Sequence, residues 1–155
     1  MNRLTLAVCI LFLSATMLAQ QSSKKASASG LPDKALMQKI WDGWGTLDPA
    51  NTAQFYAKGP HVFFDIAPLK YESWEEYEKG VKNVVAPYQS ATFTVNDDAQ
   101  VHPAGQIVWA TSTVKSDMTE KSGKHDMGTF RWTVIWQKQG GKWRIVHEHI
   151  SAPLQ

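Results

Sequence analysis

The chain has 155 residues, which is enough for one domain with a substantial core. Its formal net charge of +2 is close to neutral, and no lysine and arginine cluster is interleaved with aromatic residues, so we expect no nucleic-acid partner. Cys9 is the only cysteine, which excludes a disulfide framework; seven Trp, six Phe and four Tyr can build the core instead.

The N-terminal residues have the pattern of a secretory signal peptide. Arg3 supplies a short basic region, residues 4–18 are apolar, and Ala19 supplies a small residue before a polar segment. The apolar stretch is too short for a good membrane span, although an uncleaved anchor is the alternative. We predict a signal peptide over 1–19, a disordered linker over 20–32, a secreted or periplasmic protein, and no membrane contact after cleavage.

The first half of the predicted domain, which we place at 33–155, contains three helical patterns. Asp33 is the expected N-cap of the first helix, whose apolar residues share one face. A second helix is expected to begin after Asp48 and to end at Gly59. A short strand, HVFFDIAP, precedes the third helix, where Ser73 and Glu76 have the spacing of a capping box.

After Pro87 the apolar period changes from that of a helix to that of a strand. Alternating segments follow at 91–102, 106–118, 125–139 and 142–152, and the Gly140–Gly141 pair predicts a hairpin between the last two. This order predicts an α+β fold, a cone-shaped curved antiparallel sheet with N-terminal helices packed on its concave face. Such a cone has a natural pocket at its mouth.

The last strand carries two histidines that flank a glutamate, in the order His147, Glu148, His149. Period-two alternation places both histidines on one side with Trp143 and Ile145, and the glutamate on the other. The histidines could act as general acid or base or orient a ligand, form half of a metal site, or hydrogen-bond within the core. Further metal ligands are not evident, so we predict no metal and no cofactor.

Asp65 lies between Phe64 and Ile66 at the end of the early strand. A carboxylate among apolar residues at a pocket rim tends toward a raised pKa and suits general-base catalysis. The alternative is a turn-forming or ion-paired aspartate. We therefore regard Asp65 as a candidate catalytic residue together with the two histidines.

Three aromatic residues and one arginine are candidate ligand contacts. Trp74, Tyr77 and Trp109 would form apolar parts of the pocket wall. Trp74 and Tyr77 also have the spacing of ordinary core residues. Arg131 would supply a polar contact. The sequence leaves open whether Arg131 lies beside the last histidine or beside the glutamate, because it does not determine strand register.

Two stretches resemble the SnoaL-like group of the nuclear transport factor 2-like superfamily over about residues 33–154: PHVFFDIAPLKYESWEEYEKGV and GTFRWTVIWQKQGGKWRIVHEHISAPL. The second is close to the group's ending, R-x-T-x-x-x-x-K-x-x-G-x-W-x-I-x-H-x-H-x-S-x-P. The resemblance implies the same α+β cone and commonly a homodimer built through the sheets. The superfamily includes ketosteroid isomerases, polyketide cyclases, dehydratases and members with no known activity, so the fold does not settle the reaction.

We therefore expect a secreted homodimer that binds a small, partly apolar molecule. If the protein is an enzyme, we expect cofactor-free proton transfer, such as isomerisation, cyclisation or dehydration of a carbonyl compound. Asp65, His147 or His149 would be the base, and Arg131 or the second histidine would stabilise the oxyanion.

Two other classes of function remain open at this point. The protein could be a non-catalytic ligand-binding or accessory protein whose histidines are architectural. It could also be an association module, because kinase-association domains resemble this fold. In that case an apolar convex face would be formed by Phe130, Trp132 and Trp136.

Overall fold

The computed structural model describes residues 30–153, so the predicted signal peptide and most of the linker lie outside the described residues. The described residues form two α-helices, α1 (Lys34–Gly45) and α2 (Trp74–Val85), with short 3-10 helices at Pro49–Asn51 and Ala53–Phe55. The strands are β1 (Phe63–Phe64), β2 (Tyr88–Val95), β3 (Gln100–Ala104), β4 (Ile107–Glu120), β5 (His125–Gln139) and β6 (Lys142–Ser151). Neither α-helix is long and apolar enough to cross a membrane.

The six strands form one sheet in the order β1-β6-β5-β4-β2, and β3 also pairs with β4. Strands β4, β5 and β6 form an antiparallel meander, while β1 joins β6 in parallel. The β5–β6 hairpin turns at Gly140 and Gly141, whose φ angles of 54° and 79° need the left-handed conformation that glycine allows. The predicted α+β architecture is confirmed.

Local capping determines where both α-helices begin. The Asp33 carboxylate accepts a hydrogen bond from the backbone N–H of Leu36 at 2.9 Å, and the Ser73 hydroxyl accepts one from Glu76 at 3.2 Å. Each bond pairs an N–H group that the helix itself leaves free. The predicted starts of α1 and α2 are therefore correct.

The predicted second helix is wrong, because residues 49–55 form only two 3-10 helices. The Thr52 hydroxyl donates to the carbonyl of Pro49 at 2.7 Å, and a β-branched side chain in this position does not favour continuation of a helix. The chain then becomes extended at Tyr56, where Ala57 donates its N–H to Ile145 of β6 at 2.8 Å. Pairing with the sheet thus replaces the next helical turn.

Cross-strand pairing separates the sheet into a helix-covered face and an open face. Rows of paired residues on the helix-covered face are Val108–Trp136–Ile145, Ala110–Val134–Glu148 and Ser112–Trp132–Ile150. Rows on the open face are Trp109–Ile135–His147, Thr111–Thr133–His149 and Thr113–Arg131–Ser151.

A β-bulge in β6 explains why simple alternation was wrong for Ile145. Ile135 pairs with His147, but the next residue, Trp136, pairs with Ile145, so Val146 is the extra residue. Ile145 is fully buried on the helix-covered face. The sequence had predicted that Ile145 shares a side with His147, and this prediction is wrong.

The large aromatic residues of β5 also lie on the helix-covered face. Phe130, Trp132 and Trp136 are 8%, 1% and 1% exposed, respectively, so the expectation of an apolar outer face around them is wrong. The ring of Trp41 in α1 lies 5.0 Å from that of Phe130 and 5.3 Å from that of Trp132, centroid to centroid. The apolar stripe of α1 therefore packs against the aromatic side chains of β5.

The loop that follows β1 is tied at its base. Phe63 and Tyr71 exchange both backbone hydrogen bonds, at 2.9 and 2.8 Å, which brings the two ends of segment 64–70 together. The Tyr71 ring packs directly on Gly80 of α2, where an added Cβ atom would lie 2.2 Å from the ring. The absence of a side chain at Gly80 thus allows the loop to dock on α2.

We predict that Gly80→Ala lowers the free energy of unfolding by about 1–3 kcal/mol, because the added methyl group overlaps the Tyr71 ring. Alanine would otherwise favour an α-helix over glycine. The control is Asn83→Ala, which gains helix propensity at an exposed position of the same helix. Urea unfolding of both variants checks the prediction; an equal or higher stability of Gly80→Ala would contradict it.

Candidate functional site

A cavity of about 190 Å³ lies between the helices and the helix-covered face of the sheet. Its walls are mostly aromatic and aliphatic, and include Trp41, Trp44, Tyr77, Val81, Phe130 and Ile150. Asp65 contributes the one carboxyl group among the lining residues. An apolar cavity with few polar groups is the usual form of a small-molecule site.

Strand β1 places Asp65 at this cavity. Phe63 pairs with Glu148 and Phe64 pairs with His149. Side chains alternate between the two faces along a strand, so Asp65, which follows β1, lies on the same face as Phe63. Burial raises the pKa of the Asp65 carboxyl group, while a hydrogen bond from the N–H of Ile66, at 2.7 Å, lowers it. Asp65 thus lines the cavity and the pKa of its carboxyl group is raised, while a catalytic role for it stays a prediction.

A second carboxyl group, that of Glu148, is fully buried behind the cavity. The Tyr56 hydroxyl donates to one of its oxygens and the indole N–H of Trp132 donates to the other, each at 2.9 Å. The indole N–H of Trp44 in turn donates to the Tyr56 oxygen at 3.2 Å. We call Glu148, Tyr56, Trp132 and Trp44 the Glu148 network.

Burial raises the pKa of Glu148 from 4.5 to about 7. The nearby donors of Tyr77, Trp132 and Tyr56 act in the opposite direction, and the negative charge of Asp65 adds to the increase. The groups that bond to the carboxyl are neutral donors, which cannot replace the solvation of a full charge. Both protonation states of Glu148 are therefore accessible near neutral pH.

The two predicted histidines lie on the open face of the sheet, away from the cavity. His147 donates from Nδ1 to the carbonyl of Val62 at 2.8 Å. The ring of Phe64 meets both imidazoles edge-on, with centroids 5.4 Å from that of His147 and 5.6 Å from that of His149. These contacts hold β1 against β6. Within 30–153, no group of three or more His, Cys, Asp or Glu residues is arranged to hold a metal ion.

The remaining predicted ligand contacts do not form one group. Arg131 is exposed on the open face and pairs with Ser151, so it lies diagonal to the last histidine and on the opposite face from Glu148. Trp109 is 40% exposed on the open face and stacks on His102. Trp74 is fully buried and stacks on Tyr56, outside the cavity lining.

The structure therefore places Asp65 and Tyr77 in the wall of the same cavity. It also adds Glu148 to the candidate site. The sequence had indicated on which side of β6 Glu148 lies but had given it no role. One signal was visible in the sequence: Glu148 lies two residues from Ile150 on the side opposite the histidines. A carboxyl group on an apolar strand face is unusual unless it is paired. Tyr56 had no such signal, because its contact with Glu148 spans 92 positions in the chain.

Comparison with known proteins defines the class to which this chain belongs. The sequence model of the SnoaL-like domain matches residues 34–155. The chain is therefore a member of the SnoaL-like domain family. No curated protein matches its sequence significantly.

Solved structures agree with this assignment at the level of the fold. A nuclear transport factor 2-like superfamily protein from Salmonella enterica serovar Typhimurium is 18% identical, with 79% of this chain and 92% of that chain covered and a TM-score of 0.68. A proposed dehydratase of the same family from Streptomyces avermitilis is 12% identical, with 79% and 95% covered and a TM-score of 0.66. The association domain of CaMKII from C. elegans is 18% identical, with 76% and 91% covered and a TM-score of 0.61.

We predict that Glu148 makes the stability of the protein depend on pH. The folded state keeps the Glu148 proton up to about pH 7, whereas the unfolded state releases it near 4.5. This contribution to the free energy of unfolding is therefore fully present below the unfolded pKa and is lost as the pH rises through the folded pKa. Glu148→Gln cannot titrate, so its stability relative to wild type should increase by about 2–3 kcal/mol between pH 5 and 8.

Urea unfolding of wild type and Glu148→Gln at both pH values measures this difference. Glu75→Gln, which removes an exposed carboxyl group of α2, is the matched control and should show little change. A constant difference between wild type and Glu148→Gln across the pH range would contradict the prediction.

Proposed function

We propose that this protein binds a small apolar carbonyl compound and catalyses cofactor-free proton transfer on it, with Asp65 as the general base. The observation that carries the proposal is the position of the Asp65 carboxyl group in the wall of an otherwise apolar cavity. Burial raises the pKa of this carboxyl group, and a stronger base in a cavity of low polarity is suited to removing a proton from carbon.

The size of the cavity limits the ligand. An apolar protein cavity of about 150 Å³ can hold benzene, and this cavity has a volume of about 190 Å³. A compound with one ring, or with two small fused rings, therefore fits better than a larger polycyclic molecule. The aromatic residues Trp41, Trp44 and Phe130 in the walls favour a planar ligand.

The proposed reaction begins at the carbon next to the carbonyl group of the ligand. The Asp65 carboxylate takes a proton from this carbon, the C–H bonding pair becomes the C=C bond of an enolate, and the carbonyl oxygen takes the negative charge. Return of the proton to a different carbon gives isomerisation, and loss of a β-hydroxyl as water gives dehydration. Each outcome uses one base and a hydrogen-bond donor for the oxyanion.

We predict that the protein accelerates exchange of α-hydrogen for deuterium in one- and two-ring ketones, with 1-indanone as the first probe, in D₂O. Asp65→Asn should reduce the enzymatic exchange rate by roughly 100-fold or more, because the amide cannot accept the proton. NMR of the ketone measures the rate. Asp117→Asn, which changes a carboxyl group on β4 outside the cavity lining, is the control. Exchange at the buffer rate with wild type, or equal rates with Asp65→Asn, would contradict the proposal.

A second candidate function is association through the open face of the sheet. Trp109 and Met127 are 40% and 64% exposed in β4 and β5, and the fold is similar to that of the CaMKII association domain. The predicted homodimer would use this face, and His147 and His149 would then lie at the interface. This function is compatible with a ligand cavity on the other face. Secretion directed by residues 1–19 stays a prediction.

We predict that the full chain forms a homodimer that Thr133→Glu disrupts, because Thr133 lies at the centre of the open face between Thr111 and His149. A carboxylate buried there on both subunits would repel its symmetry mate. Analytical ultracentrifugation over a wide concentration range measures the state. Lys82→Glu on the exposed side of α2 is the control. A monomeric wild type, or a dimer that Thr133→Glu leaves intact, would contradict the prediction.

A further inference from the structure

A second cleft, of about 510 Å³, lies at the end of the sheet where the β5–β6 hairpin turns. Its charged and amide side chains are those of Lys58, Arg144, Gln54 and Gln139, and none of its lining residues carries a carboxyl group. Clefts of this volume are large enough for small organic molecules. The cleft thus combines room for a ligand with two positive charges and two amide groups.

Backbone pairing brings the two cationic residues of this cleft together. Ala57 donates its N–H to the carbonyl of Ile145 at 2.8 Å. Lys58 directly follows Ala57, and Arg144 directly precedes Ile145, so the two side chains start from neighbouring stretches of backbone. This contact belongs to the extended segment that replaces the predicted second helix, which is why the sequence did not reveal the cleft.

Both positive charges lack a carboxylate partner among residues 30–153. The Lys58 ammonium lies 4.9 Å from the centre of the Trp74 ring. This cation–π contact positions the lysine side chain and leaves its charge unneutralised. Arg144 is partly buried, and its guanidinium donates to no oxygen within the described part of the chain. A guanidinium has five N–H donors in a planar fork, so Arg144 is available to bind an anion.

The cleft is separate from the cavity that holds Asp65, because the two share no lining residue. Phe130 of the cavity and Gln139 of the cleft are nine residues apart in β5, about 30 Å along the strand. A ligand in the cleft therefore does not compete for the cavity. An inference about the cleft is independent of the proposed proton transfer.

We propose that this cleft binds a small hydroxylated organic anion, a phosphate monoester in preference to a carboxylate. The Arg144 guanidinium forms paired hydrogen bonds to two oxygens of the anion, and the Lys58 ammonium adds a second positive charge. Two cations match the double charge of a phosphate monoester better than the single charge of a carboxylate. The amides of Gln54 and Gln139 each offer donors and an acceptor, which suits hydroxyl groups beside the anion.

The first experiment titrates three compounds of similar shape into the full chain at about pH 8 and constant ionic strength. Glycerol 3-phosphate, glycerate and glycerol carry about two, one and no negative charges there, and protein NMR measures each affinity. Glycerol 3-phosphate should bind about 5-fold more tightly than glycerate, the effect of one added charge pair at an accessible site, and glycerol should not bind. Glycerate that binds as tightly as glycerol 3-phosphate, or no saturable binding of either anion, would overturn the inference.

Variants of the two cationic residues test which groups hold the anion. Arg144→Gln should weaken the binding of glycerol 3-phosphate by about 10-fold or more, because it removes a hydrogen-bonded charge. Lys58→Gln should weaken it by about 2- to 5-fold, since the lysine is more exposed. Arg144→Lys keeps the charge without the paired donors, so its affinity should lie between those of wild type and Arg144→Gln. Wild-type affinity in both Arg144→Gln and Lys58→Gln would overturn the inference.

Lys142→Gln is the matched control, because it removes the same charge from an exposed position of β6 outside the cleft lining. It should change the affinity by less than about 2-fold. An equal loss of affinity in Lys142→Gln and Arg144→Gln would indicate attraction to general positive charge and would overturn the inference. Asp65→Asn should leave the binding of glycerol 3-phosphate unchanged, so this site and the proposed proton transfer can fail separately. Lys58→Gln changes an exposed side chain and keeps the test valid where Arg144→Gln does not fold.

Discussion

The burial of one carboxyl group, that of Glu148, is the constraint around which the rest of the site is built. A buried carboxyl group must have hydrogen-bond partners, since leaving it unpaired would cost several kcal/mol. The partners come from the extended segment after the 3-10 helices and from β5, with Trp44 of α1 behind them. One side chain thus connects this segment and α1 to the centre of the sheet.

The geometry of β6 decides which residues reach this buried position. The bulge at Val146 changes the alternation of the strand, so Ile145 and Glu148 are buried together while His147 faces outward. The histidines of the family pattern therefore lie on the other face, where they contact Phe64 and the carbonyl of Val62. Their contacts hold β1 in place, and β1 in turn directs Asp65 to the cavity.

The proposed chemistry and the proposed assembly would use two separate faces of the sheet. The helix-covered face holds the cavity, with Asp65 in its wall and the Glu148 network behind it. The open face carries threonines, histidines and an exposed tryptophan. Because the two faces of a sheet are separated by the strand backbone, a ligand and a partner subunit can be accommodated at once. This is one physical reason why a single fold serves both catalysis and association.

The sequence alone determined the two α-helices with their caps at Asp33 and Ser73, the long strands after Pro87 and the glycine hairpin, because each depends on neighbours within a few residues. The family resemblance implied the same α+β cone and added the expectation of a homodimer. Only the tertiary structure decided the rest. The bulge at Val146 depends on pairing with β5, the histidines' outward direction depends on that register, and the contact of Tyr56 with Glu148 joins residues far apart in the chain. Local patterns do not contain these long-range pairings, and the pairings determine which polar residues meet in the cavity.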